Sequence, residues 1–292
     1  MDDLLRTTLE ADDPADDVVD RSRHRLQNHM HGGRRRHGKR IAWLSAGIAL
    51  TAAAAVAIAV LPGAPAPDPV RHAAPEPEPA TGQEILLAAA TVAAQAEDSS
   101  GAYWHVTIED PDDTYEYWTT PDGRTWFKGR KTNGVPWENP EPQNPAFSLF
   151  AVGVTLEQLR ALPTDPAALE AWIADALEHS DARSSAGPFT DEDREMAKFY
   201  SLISLVSTAP APPEVRAAAF RALAAYPDVE SIGEVPGGQG LRLPDGDRLV
   251  VDPATGRVNG TSMYVTADGA IYSVSDPEGV RISAEWTDTP PA

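Results

Sequence analysis

The stretch that decides the fold is residues 229–286, VESIGEVPGGQGLRLPDGDRLVVDPATGRVNGTSMYVTADGAIYSVSDPEGVRISAEW. Short runs rich in β-branched and aromatic residues alternate in it with turn signals. Those signals are Gly237-Gly238, Asp245-Gly246, Thr255-Gly256, Asp268-Gly269 and Pro277-Glu278-Gly279. Glycine at such points supplies the positive φ that tight hairpins need. The spacing predicts strands at 229–235, 240–243, 247–252, 263–266, 270–275 and 280–285. A second meander is predicted upstream, with strands at 103–109, 114–120 and 124–131 and a turn at Pro121-Asp122-Gly123. Trp104, Val106 and Ile108 share one face of its first strand by period two.

Helices separate the two strand regions. Thr81 with Glu84 forms a capping box ahead of an apolar run to about Ala96. Thr155 and Gln158 cap a short helix, and Asp165 and Pro166 suit the N-cap and first position of another. In that helix Leu169, Trp172, Ile173, Ala176 and Leu177 fall on one stripe. Thr190 and Asp193 open a third, with Met196, Phe199, Tyr200 and Ile203 as its expected face. Pro213 opens a fourth, which carries Phe220, Leu223 and Ala224 and ends by Pro227. The order helix, strands, helices, strands predicts an α+β domain over 81–292. Its antiparallel sheet is expected to be covered on one face by helices.

Residues 41–61, IAWLSAGIALTAAAAVAIAVL, carry no charge. As a helix they span about 31 Å, close to the roughly 30 Å hydrocarbon core of a bilayer. Arg34, Arg35, Arg36, Lys39 and Arg40 precede this run, and only Arg71 closely follows it. The positive-inside rule therefore predicts one transmembrane helix, with residues 1–40 as a cytoplasmic tail and the C-terminal domain outside the cell. Residues 62–80 contain seven prolines and read as a stiff, extended linker of about 3.1 Å per residue.

Charge and composition exclude several classes. Residues 62–292 hold 36 acids against 15 bases. Nucleic-acid binding rests on basic side chains that neutralise phosphate, so no nucleic-acid partner is expected. The chain has no cysteine, which removes disulfides, thiol catalysis and Cys-ligated zinc.

No catalytic constellation stands out, neither HExxH, nor a Gly-x-Ser-x-Gly elbow, nor a phosphate-binding glycine loop. No cofactor is expected. His29-x-His31 lacks residues to complete a metal shell. His105 falls on the strand face away from Trp104, where an exposed or cross-strand role is expected. Asp191, Asp193 and Glu195 sit in the first turn of a predicted helix, where the macrodipole favours anions. The acids from Glu109 to Asp113 mark a turn. The remaining candidate is an apolar cleft between helices and sheet, lined by Trp104, Trp118, Trp126, Trp172, Phe199 and Ile203.

Five pieces of the chain carry a family resemblance. They are MDDLL at 1–5, the basic run with its apolar helix, GAYWHV at 101–106, LPTDPAAL at 162–169 and RLVVDPATGRVNG at 248–260. Together they resemble an uncharacterised family of single-pass membrane proteins of high-GC Gram-positive bacteria, often encoded beside extracytoplasmic-function sigma factors. This chain departs from the family in having only residues 234–241 where a longer hairpin usually precedes the last motif. The resemblance implies a cell-membrane location and a signalling setting, with a sigma factor as a possible partner of the tail. The order of elements in the outer domain is also similar to the lipoprotein-carrier fold, which implies an apolar cavity. The expected function is a membrane-anchored binding or sensing protein, not an enzyme. The alternative is a tethered carrier of lipid or lipoprotein.

Overall fold

The structure, a computed structural model, describes residues 80–292 apart from 112, 185–186, 267–268, 270 and 275–278. The predicted tail, the span at 41–61 and nearly all of the linker lie outside the described residues. Among those described, no helix is long and apolar enough to cross a membrane.

The fold is mixed α+β with a large antiparallel sheet. Nine of the described strands form it, in the order β4-β3-β2-β1-β15-β12-β11-β10-β9. The first meander supplies β1 (Tyr103–Asp110), β2 (Asp113–Thr119), β3 (Thr125–Lys128) and the edge strand β4 (Trp137–Glu138). The C-terminal region supplies β9 (Glu230–Val235), β10 (Gly238–Arg242), β11 (Arg248–Asp252), β12 (Arg257–Thr261) and β15 (Val280–Thr287). The last strand closes the arrangement by pairing with the first, Tyr103 opposite Thr287 through Glu109 opposite Arg281. Two hairpins stand apart from the sheet. One is β5 (Phe147–Leu149) with β6 (Val152–Val154), and the other is β13 (Met263–Val265) with β14 (Ile271–Ser273). A third, very short pair joins β7 (Arg183–Ser184) to β8 (Gly187–Pro188).

Sequence-local signals place the helix starts. Helix α1 (Gly82–Ala93) begins with the Thr81/Glu84 capping box, and α2 (Leu156–Arg160) with the Thr155/Gln158 box. Helix α3 (Pro166–Glu178) starts with the Asp165 side chain accepting from the Ala168 N–H at 2.9 Å. In α4 (Asp191–Ser207) the Thr190 hydroxyl and the Asp193 carboxylate cap each other's backbone. That contact holds the Asp193 carboxyl below its ordinary range and accounts for the acidic first turn. Helix α5 (Pro213–Ala224) carries proline in its first turn.

The expected faces fit α3, where Leu169, Ile173 and Leu177 are buried. They do not fit α4, where Met196 is exposed while Phe199 through Val206 are all buried. The reason is position. Helix α4 touches α3 and α5 as well as β5, β12, β13 and β15, so its later turns are surrounded and no single stripe describes them. Ser201 and Ser204 tolerate that burial because each hydroxyl donates to a carbonyl one turn back, at 2.8 and 3.0 Å.

Helix α1 touches α5, β9 and β11. The turn between β11 and β12 is braced by Asp252, whose carboxylate accepts from the Ala254 N–H at 2.9 Å and the Thr255 hydroxyl at 2.7 Å. Gly256 ends this turn at φ +63°, pressed on the last turn of α1. A Cβ there would lie 2.7 Å from Ala93 N and 2.8 Å from Ala89 O. Gly256→Ala is expected to cost roughly 2 kcal/mol, from the left-handed backbone and this contact together. Urea unfolding measures it, and a loss below about 0.5 kcal/mol would mean that the turn lifts away from α1 freely.

Candidate functional site

The six expected cleft residues do not share one surface. Trp104 points into the core with Val106 and Ile108, and its indole N–H donates to the Thr208 carbonyl at 2.7 Å. Phe199 and Ile203 are buried in the same apolar core from α4, and Trp172 packs half-buried against it from α3. Trp118 and Trp126 lie on the other side of the sheet. Trp118 is paired with His105 across the β1–β2 ladder, and Trp126 with Trp118 across β2–β3. Directly opposed residues share a face, and His105 alternates with Trp104. Both tryptophans are therefore excluded from the cleft.

A cleft does exist beneath Trp104, walled by Val106, Ile108, Tyr117, Phe147 and Ala209. It is small. Its cavity volume is only about 20 Å³, where one buried water needs roughly 10–15 Å³. Phe147 from the β5–β6 hairpin and Ala209 after α4 take the room. A lipid-sized space is not found at this place.

The same face of the sheet opens to solvent at its β4 edge. Tyr117, Phe127 and Trp137 are paired in succession across β2, β3 and β4. Trp137 is 55% exposed, beside Val135 at 66%. The β13–β14 hairpin adds Tyr264, stacked on Tyr272 with ring centroids 5.5 Å apart. Tyr264 is buried, and burial first, then its negative surroundings, push its hydroxyl up to about 12. Tyr115 and Tyr117 are among the groups that act on that hydroxyl, which puts the hairpin beside the β2 aromatics. Tyr272 is 52% exposed. Aromatic rings are thus shared between the core and solvent here, a surface suited to contact with a partner. Trp137 was visible in the sequence as one aromatic among several. The Tyr264–Tyr272 pair was not, because only the hairpin brings it to β2.

The opposite face carries a polar and aromatic cluster. The His105 ring stacks on Trp118, with centroids 4.6 Å apart and planes within 5°. Its Nε2 lies 3.1 Å from the Glu116 carboxylate, which also takes Lys128 at 3.3 Å. Lys128 Nζ donates to the carbonyl of Ala292 at 2.9 Å. Arg124 sits 4.8 Å above the Trp126 ring. These are cross-strand contacts of the kind expected for His105. Among the described residues, no group of three or more His, Cys, Asp or Glu side chains is arranged to hold a metal ion. His29 and His31 lie outside them. No protein-family model, no curated protein and no solved structure matches this chain.

Proposed function

We propose that this chain is a membrane-anchored binding or sensing protein whose outer domain engages its partner through its surface. The observation that carries this reading is the tightness of the space under Trp104. A tethered lipid or lipoprotein carrier needs a cavity of roughly 300 Å³ or more, and the cleft accommodates about one water. The exposed aromatic end, with Trp137, Tyr272 and Val135, is the surface we assign to partner contact.

The anchor belongs to the same proposal. An uncharged run of 21 residues behind five basic residues supports one transmembrane helix with a cytoplasmic N-terminus. The helices belong on the Trp104 side of the sheet, since Trp104, Val106, Ile108 and Ile282 share an apolar core with residues of α1, α4 and α5. The tail at 1–40 then faces cytoplasmic proteins. A sigma factor is the partner that the family resemblance suggests for it.

The test uses intact protein crosslinked in membranes, with recovered partners sorted by their dependence on two regions. Partners of the tail should vanish on deletion of residues 1–33. Extracytoplasmic partners should weaken about tenfold or more in a Trp137→Ala/Tyr272→Ala double variant, since exposed aromatics at an interface core commonly contribute 2 kcal/mol or more. Unchanged extracytoplasmic capture would remove the aromatic end from the proposal. A C-terminal reporter active only in the cytoplasm would reverse the topology. Binding of a hydrophobic dye that long-chain lipid displaces would favour the carrier instead.

A further inference from the structure

The nine-stranded sheet is not continuous in its middle. Strands β12 and β15 are paired only at Gly260 opposite Arg281 and Thr261 opposite Val280. Beyond that point each strand keeps its other neighbour. Strand β15 runs on beside β1 as far as Thr287 opposite Tyr103, and β12 runs on beside β11 as far as Arg257 opposite Asp252. The two strands therefore splay, and a wedge opens between residues 257–259 and residues 283–286. Strand twist and the shift in register between Val250 and Val251 both act at this point.

Residues of contrasting chemistry line the wedge. Trp104 forms one wall, Asn259 and Ser283 come from the two strands, and Arg216 and Arg257 bring two guanidinium groups. The cavity volume of the wedge is about 40 Å³, twice that beneath Trp104. Arg257 is exposed on β12, whereas Arg216 reaches in half-buried from α5. Arg216 donates from Nη2 to the Ala211 carbonyl at 3.1 Å, which leaves most of its five N–H donors unused within the protein. Among the described residues, neither arginine is in an ion pair, while Arg124, Arg130, Arg194 and Arg281 each are. Burial, then the neighbouring Arg257 charge, pull the Arg216 guanidinium below its ordinary range, and Asp98 opposes them.

Two arginines that line one wedge, with no ion pair among the described residues, are unusual in a region with 36 acids and 15 bases. Carboxylates are abundant on this domain, and Asp252 stands opposite Arg257 across β11 and β12, yet among the described residues none is in an ion pair with either arginine. Mutual repulsion at a partly dehydrated place is unfavourable, and an anion lying between the two groups reverses its sign. Guanidinium groups present planar, paired donors that match the oxygens of carboxylate and phosphate. The room available suits one such head group and not a large ligand, so the remainder of the molecule would stay at the mouth of the wedge.

We propose that the wedge between β12 and β15 is a binding site for a small oxyanion, a phosphate or carboxylate group held between Arg216 and Arg257. The site is independent of the membrane anchor and of the aromatic end, and it gives the outer domain a specific chemical class to recognise.

The test is a titration of the full-length protein with sodium phosphate and, separately, with sodium acetate. Sodium chloride holds the ionic strength constant, and calorimetry and the melting temperature are both followed. Saturable binding of at least one anion, beyond the chloride control, is expected. A response to phosphate alone assigns a phosphoryl group, a response to acetate alone assigns a carboxylate, and a response to both assigns the oxyanion class. Arg257→Gln alters an exposed side chain and should leave the fold intact. It is expected to weaken binding roughly tenfold or more, the effect of losing a charge-assisted contact. Arg216→Lys keeps the charge but loses the planar fork, and it should weaken binding less than Arg257→Gln does. Absence of saturable binding by both anions, or equal affinity in wild type and Arg257→Gln, overturns the proposal.

Discussion

Phe220→Ala is expected to lower the melting temperature by roughly 10 °C. Phe220 is fully buried in α5, and that helix touches α1, α3 and α4. Much of its surrounding helix is alanine, with Ala217, Ala218, Ala219, Ala222 and Ala224 all buried. Small side chains let the helices approach closely, and the one large ring fills the space that remains. Removing such a ring costs about 3–5 kcal/mol, the transfer term plus the cavity left behind. For a domain of this size each kcal/mol shifts the melting temperature by roughly 2–4 °C. The denaturant dependence should keep its slope while the midpoint falls, because the loss is in packing and not in compactness. A shift under about 3 °C would mean that the helices collapse to fill the gap, so that the packing around α5 is not rigid.

Trp104 should separate two contributions that the first substitution cannot. Its ring is buried against Trp286, with centroids 5.4 Å apart, and its indole N–H holds the Thr208 carbonyl. Trp104→Ala removes both the ring and the bond and is expected to cost about 3–5 kcal/mol. Trp104→Phe keeps most of the apolar surface but leaves the carbonyl without its donor, a cost of about 1–2 kcal/mol at this half-buried position. Thermal or urea unfolding of the two variants measures the split. A phenylalanine variant as stable as wild type would show that water satisfies Thr208 from the cleft beneath Trp104. Equal losses in both variants would mean that the hydrogen bond, not the ring, is what Trp104 contributes.

The sequence alone was sufficient wherever the interacting groups are neighbours in the chain. The boxes at Thr81/Glu84 and Thr155/Gln158, the Asp165–Pro166 start and the Thr190 cap were all legible, because each partner lies within three residues. The turns around Gly246 and Gly256 were legible for the same reason, and with them the strands at 240–243 and 247–252, but the strand after Gly256, β12, was not among those expected. The proline-rich stretch at 136–145 concealed β4, since a two-residue edge strand has no period to read. The β5–β6 hairpin escaped for the same reason.

What only the tertiary structure decided involves partners far apart in the chain. Nothing local says that β15 pairs with β1. Nothing local separates Trp118 and Trp126 from Trp104, because composition marks all three as apolar and only the cross-strand register assigns a face. Met196 read as a core residue until α4 proved to have neighbours on several sides. The pairing of Arg216 with Arg257 is the clearest case. One belongs to a helix and the other to a strand, each is unremarkable in its own segment, and a charge has no sequence signature for its environment. Helix caps and turns are short-range backbone chemistry. A wedge with two unpaired cations exists only once distant strands have paired and then separated.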